Sequence, residues 1–515
     1  MAGTAAAHST RNHKAGPMTD YFVSSTHGDD SAQGTGQGAA WRTLARATTA
    51  TLRPGDAILL ERGSRFAGEA LHLQGVSGTA QRPVEIGAYG DQQLPAPLIA
   101  CDGNGQWFED YRAPIGGSPH RNRGTVSTAV LLRDCSYVHV HDLEITNRRT
   151  GDASEPAYND PDAMDRTGVA VIAENGGTSR GIALERLFVH DVHGNIYDKH
   201  MANGGIYVIA HLPADAARVE TDIARFDDVR IAGNTVRDTS RWGIAVGYTA
   251  YLNIIDNGGR NADGSWDNTY DYGDGTIGDD IIRTYGATNV VVEGNVVERA
   301  GGDAITVMYC DRPVVRRNIA REAAKDIRAD VYTATTNDRV AAAIWPWRCK
   351  NALFEYNEAY DTLNADRGNG DGQAWDADFG DGTEYRYNYS RNNSGGCVMF
   401  CNEKAVRSTF HYNVSDRDLM GAIDIPRNPD ATVAHNTFII AEGADPLRLD
   451  RADGTASVED NIFINAGSAP KHTDWHPEGA RITYSGNVTI GFADQPSDIG
   501  ARTRRTPVHQ STTGR

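Results

Sequence analysis

Apolar residues in this chain fall in short runs of four to six, rich in β-branched and aromatic side chains and closed by Asn, Asp or Gly. Such runs, bounded by turn residues, predict strands. No unit holds an amphipathic stretch long enough for a helix. The runs recur around an asparagine: EGN ends at Asn295, RRN at Asn318, EYN at Asn357, RYN at Asn388, HYN at Asn413, AHN at Asn436, EDN at Asn461 and SGN at Asn487. The steps between them are 23, 39, 31, 25, 23, 25 and 26 residues. Upstream, Asn234 keeps the register, with Leu187 and Leu143 in the same slot. The period is therefore about 23–26 residues, and longer steps are one period plus an inserted loop.

A unit of that size makes about three short strands and three turns, one coil of a parallel β-helix. Each coil has an edge that only the next can satisfy, so stacking is obligatory. The recurring Asn fits an inward ladder of side-chain amides at a turn, a structural role rather than a functional one.

The segments DYFVSSTHGDDSAQGTGQGAAWRTLARA (20–47) and LRPGDAILLERGSRFAGEALHL (52–73) resemble the opening of right-handed parallel β-helix proteins of the pectate-lyase-like superfamily. The resemblance covers about residues 20–490 and implies an all-β solenoid with an N-terminal cap (about 20–100) and long loop insertions. The expected organisation is one domain over 20–495, a disordered or leader-derived segment at 1–19 and a flexible tail at 496–515. The superfamily includes lyases, hydrolases, epimerases and adhesins, so it implies a carbohydrate-active protein without choosing the chemistry.

Composition narrows the choice. The 515 residues carry 50 Lys+Arg against 68 Asp+Glu, a formal charge of −18. That excess disfavours nucleic acid or an anionic membrane as partner, and no apolar run approaches the ~18 residues of a membrane span. Glycine is frequent, 55 residues, as a chain of many tight turns requires. Six cysteines without CxxC or Cys/His zinc spacing predict neither a disulfide scaffold nor a metal site. The N-terminus has no apolar core of a signal peptide, so the location is extracellular if a leader has been removed and cytoplasmic otherwise. A monomer is expected.

One strand per coil lines up into a candidate groove: DAITVM (303–308), AAIWPW (342–347), QAWDAD (373–378), CVMFCN (397–402) and GAIDIP (421–426). Period-2 alternation sends Ile305, Ile344, Trp375, Met399 and Ile423 inward, followed by Ala377, Cys401 and Ile425. The outward face then carries Thr306, Met308, Trp345, Trp347, Asp376, Asp378, Phe400, Asn402 and Asp424. The opposite register would bury unpaired aspartates. Indoles beside carboxylates suit a sugar ring, with its apolar C–H faces and hydroxyl rim.

These residues predict a glycosidase using paired carboxylates. Asp376 and Asp378 are the first candidates, Asp424 and Glu403 the second. Trp345 and Trp347 are the sugar platform, with Phe400, Asn402, Arg427, His200 and Lys199 as further substrate contacts. On an ideal strand Asp376 and Asp378 stand ~6.6 Å apart, within the ≈ 6.5–9.5 Å of inverting enzymes. AWDADFGDGTEYRYNYS also resembles the Asp rung of β-xylosidase-type β-helix hydrolases. The Glu expected on the next rung of that group is Phe400 here, with Glu403 displaced by three.

Two other classes stay open. A polysaccharide lyase would use Ca²⁺ on Asp376, Asp378, Asn402 and Asp424, with Arg348, Lys404 or Arg427 as base. A non-enzymatic glycan-binding β-helix would use the same face without turnover. The hydrolase needs no cofactor. Its substrate is an oligosaccharide or polysaccharide, reached past a long aromatic- and Asp-rich loop at about 248–289.

Overall fold

The computed structural model describes residues 18–110, 123–149, 164–195, 202–215, 217–249, 277–327, 340–363, 371–496 and 502–503. Lys199, His200, most of the 248–289 loop and most of the two terminal segments lie outside the described residues.

The chain winds as a parallel β-helix. Among the described residues it has three sheets of 15, 14 and 11 strands, and successive coils give each sheet neighbouring strands. One coil shows the plan: Glu384–Arg386 enters the first sheet, Tyr389–Arg391 the second and Gly396–Cys401 the third. The next repeats it with Thr409–His411, Val414–Asp416 and Ile423–Asp424. Among the strands of the described residues pairing is parallel, apart from Gln106–Asp110, which runs antiparallel to Arg123–Arg133.

The corner between the first two sheets explains the repeat. The residue before each ladder Asn takes a left-handed backbone, with φ of 54° at Arg317, 56° at Tyr356 and Tyr387, and 57° at Tyr412 and His435. That single residue redirects the chain and aims the following Asn inward. Each amide then bonds the next: Asn388 Oδ1 accepts from the main-chain N–H and Nδ2 of Asn357, while Asn388 Nδ2 donates to Asn413 Oδ1 and Phe354 O. The ladder runs unbroken from Asn234 to Asn487. It starts at Leu187, whose N–H donates to Asn234 Oδ1, so the asparagines are structural.

Inside, Phe354, Tyr385, Phe410, Phe438 and Phe463 stack coil on coil, with ring centroids 4.7–6.1 Å apart. At the N-terminal end the short helix Leu44–Thr48, capped by the Thr43 hydroxyl, adds Leu44 and Ala47 to the core beside Trp41. This is the expected cap, covering the first coil's apolar edge. No helix among the described residues is long and apolar enough to cross a membrane.

Candidate active site

The third sheet carries the predicted strands in coil order. Ile305 pairs with Ile344, and Met308 with Trp347; Ile344 pairs with Trp375, and Trp347 with Asp378. The Asp-bearing strand is held from both sides. Trp375 points inward against Tyr385, at 5.8 Å between rings, and the Tyr385 hydroxyl donates to the main-chain oxygen of Asp376 at 2.8 Å. Asp376 and Asp378 therefore leave the core face, as expected.

The next strand lies one residue from its predicted register. Asp376 pairs with Met399, Ala377 with Phe400 and Asp378 with Cys401. Phe400 is thus an inward, fully buried core residue rather than a substrate contact, and Met399 and Cys401 occupy the outward column. Met399 in turn pairs with Asp424, so Asp424 stands two rungs from Asp376, where alternation put it.

A second correction concerns exposure. Asp376, Asp378 and Asp424 retain only 3%, 8% and 3% of their accessible surface. The outer face of this sheet is not bare. Side chains from its strand ends and turns pack on it, among them Asp303, Arg241, Gln373, Arg448 and Arg451. Trp345 is buried by the same cause. Its indole N–H donates to Asp303 Oδ1 at 2.9 Å, and Asp303 faces the fully buried Arg241. Trp347 alone of the two indoles stays half-buried, edge-on to Trp345 at 6.2 Å and 5.0 Å from Phe379. Its N–H donates to the Tyr309 hydroxyl at 3.2 Å.

The carboxylates of Asp376 and Asp378 turn toward each other. One oxygen each of Asp376 and Asp378 and the Sγ of Cys401 all lie within 4.8 Å of one another. Burial raises the Cys401 thiol well above its ordinary range, helped by the charges of Asp378, Asp376 and Asp371. Asp371 is the carboxylate that sequence reasoning missed. It precedes the strand Gln373–Asp378, keeps 17% of its side chain exposed and pairs with Arg451 at 3.6 Å. Its signal was present, an Asp five residues before Asp376 in one segment, but it fell outside the strand pattern.

Glu403 and Arg427 leave the cluster, and Asn402 touches it through Cys401. The strand ends at Cys401, and Asn402 turns the chain with φ of 59°. Glu403 is then 56% exposed and paired with Arg427 at 3.2 Å. A hydrogen bond from its own backbone, together with Arg427, holds its carboxyl below the usual range, against a smaller effect of burial. A general acid needs the opposite shift. Asn402 Oδ1 accepts from Arg427 at 2.7 Å, and its amide meets Cys401 Sγ at 3.2 Å.

Asp424 sits apart, between Arg448 at 3.5 Å and Arg451 at 3.7 Å. Burial outweighs both guanidinium groups and pushes its carboxyl up to about 7. All six cysteines are free thiols, and only Cys401 is not fully buried.

No family model matches the sequence. The chain is 46% identical over 514 residues to a lacto-N-biosidase of Bifidobacterium longum subsp. longum, covering 94% of this chain and 31% of that protein. It therefore spans about a third of the length of the curated relative it matches. Two crystal structures of a GH136 lacto-N-biosidase from Eubacterium ramulus, native and selenomethionine, each superpose with a TM-score of 0.78 at 42% identity. They cover 86% of this chain, and 68% and 67% respectively of the chains compared.

Proposed function

The chain belongs to the GH136 family, and from that membership and the geometry above we propose that it is a glycoside hydrolase cleaving lacto-N-biose units from an oligosaccharide. The observation that carries the reading is the cluster of Asp371, Asp376 and Asp378 around the Cys401 thiol, next to the half-buried indole of Trp347.

Two of these carboxylates do the chemistry, and Asp378 is one of them: it borders Trp347 on the next rung and is more open than Asp376. Asp376 is its near partner by distance, and Asp371 is the more accessible one. Like charges this close disfavour one another's ionisation, which favours a protonated group to assist the leaving oxygen. An approach within 4.8 Å favours the ≈ 5–5.5 Å geometry of retaining enzymes over the wider inverting one. The proposed course is attack on the anomeric carbon, release of the protonated leaving group and hydrolysis of the glycosyl-enzyme by water.

The lyase alternative finds less support. Arg427 is committed to Glu403 and Asn402, and Lys404 lies over the Phe379 ring. Calcium takes about six to eight oxygen ligands, whereas the convergent donors here include a thiol.

The test is release of p-nitrophenol from p-nitrophenyl lacto-N-bioside by the full chain and by Asp371→Asn, Asp376→Asn and Asp378→Asn. Loss of at least a thousandfold in kcat for Asp378→Asn and one partner is expected, with the first-formed sugar retaining its anomeric configuration by NMR. Ultraviolet-absorbing unsaturated products from a uronate glycan, or full activity in Asp378→Asn, would overturn it.

A further inference from the structure

Beyond the catalytic carboxylates, the same face holds a second cluster whose polar atoms are unmet. Gln373, Asp424 and Arg448 are almost wholly buried. They converge on one atom: Asp424 Oδ2 accepts from Gln373 Nε2 at 3.3 Å and lies 3.5 Å from Arg448 Nη1. One polar atom of each, Gln373 Oε1, Asp424 Oδ1 and Arg448 Nη2, makes no hydrogen bond, while Arg448 Nε donates to Asp450 Oδ1 at 3.3 Å. Each such buried group costs about 1–3 kcal/mol when left unmet. A purely structural polar network closes on itself, as the Asn ladder does; this one leaves one polar atom unmet on each of three residues that meet at Asp424 Oδ2.

The inventory of those atoms selects the ligand. Two acceptors and one donor match a pair of neighbouring hydroxyls, which offer two O–H donors and a lone pair for the guanidinium. The charge selects further. Arg448 and Arg451 are offset by Asp424 and Asp371, with Arg451 reaching both carboxylates, so the cluster brings no surplus positive charge for a uronate. Met399 lies between the cluster and Asp376 on the column, and its thioether is 3.8 Å from Gln373 Nε2 and 3.6 Å from Arg451 Nη1. It gives a soft apolar surface for the C–H face of a ring.

We infer that Gln373, Asp424 and Arg448 form a subsite that binds two neighbouring hydroxyl groups of a neutral sugar ring, two rungs from Asp376. The inference rests on the hydrolase reading of this face and assigns Asp424 to substrate binding rather than to bond cleavage. Asp424 serves in either protonation state, accepting from a hydroxyl as the carboxylate or donating to one as the acid. The groups facing it are Arg448, Arg451, Gln373, Asp371 and Asp450.

The experiment uses the full chain, with isothermal titration of lacto-N-biose and steady-state kinetics on p-nitrophenyl lacto-N-bioside and its monodeoxy analogues. Gln373→Leu removes an acceptor, and Arg448→Lys keeps the positive charge beside Asp424 while removing the open arm. Each is expected to raise Kd and KM about tenfold, with the loss falling on KM rather than kcat. One monodeoxy analogue should lose about tenfold with the wild type and less than twofold with Gln373→Leu, a coupling that a misfolded variant would not reproduce. If both variants bind and turn over like the wild type, the subsite is refuted while the hydrolase stands. If the wild type binds lacto-N-biose but releases no p-nitrophenol from p-nitrophenyl lacto-N-bioside, the hydrolase reading fails and the titration alone judges the subsite. If the wild type does not bind it, the inferred occupant is wrong and the proposal falls.

Discussion

Replacing Asn388 by Leu keeps the volume of a buried side chain and deletes its amide. Four hydrogen bonds go with it: two accepted from Asn357 and one donated to each of Phe354 O and Asn413 Oδ1. At about 1 kcal/mol net for each buried bond, the expected loss is about 4 kcal/mol. The last rung gives the control. Asn487 accepts twice from Asn461 and donates once, to Val458 O. Asn487→Leu should therefore cost about 3 kcal/mol, a step of about 1 kcal/mol below the interior rung. Urea unfolding followed by tryptophan fluorescence measures both losses, and native-state hydrogen exchange localises them: the Asn357 amide should lose protection in Asn388→Leu. A loss under about 1 kcal/mol at Asn388, or an equal loss at Asn487, would refute the claim that the amide column, rather than apolar packing alone, joins the coils.

Three further outcomes are expected. The folded state holds the Asp424 carboxyl at about 7, against an ordinary value near 3.8, so between those values the native protein binds a proton that the unfolded chain has released. Its contribution is complete below the ordinary value and fades as pH rises through about 7. The stability of the wild type relative to Asp424→Asn, taken from urea curves at pH 4 to 8, should fall with rising pH; a flat difference would count against the shift. Trp347→Ala should raise KM on p-nitrophenyl lacto-N-bioside about tenfold, from loss of ring contact worth ~1–2 kcal/mol, and an unchanged KM would remove the indole from the site. Iodoacetamide on the native protein should label Cys401 alone, and slowly, because burial and the nearby carboxylates keep its thiol protonated; mass spectrometry showing another labelled cysteine would contradict the packing.

The winding of the chain was legible because its cause is local and repeated: one left-handed residue, one inward Asn and short β-rich runs recur in every coil. The strand register was legible where polarity marked it. Trp345, Trp347, Asp376 and Asp378 were placed on the correct strand face because the aspartates alternate with Trp375 and Ala377. The strand GCVMFC carries no such marker; Val398, Met399 and Phe400 are all apolar, either parity looks acceptable, and the reading slipped by one. Glu403 failed for a related reason, since nothing in the alternation shows that the strand stops at Cys401. The burial of the carboxylates was beyond reach of periodicity altogether. Arg448 and Arg451 approach Asp424 from a turn more than twenty residues on, and such tertiary contacts leave no local trace.

Because Trp347, the Asp376 and Asp378 pair, Cys401 and Asp424 sit on successive coils, their spacing along the axis is set by strand pairing and not by the length of chain between coils. Asn318 and Asn357 are 39 residues apart, yet their amides meet as closely as those of Asn413 and Asn436, 23 apart. A loop can therefore grow or shrink at one turn while the reacting groups keep their places. Such an architecture can be retailored for a new sugar one storey at a time, with the storeys above and below undisturbed.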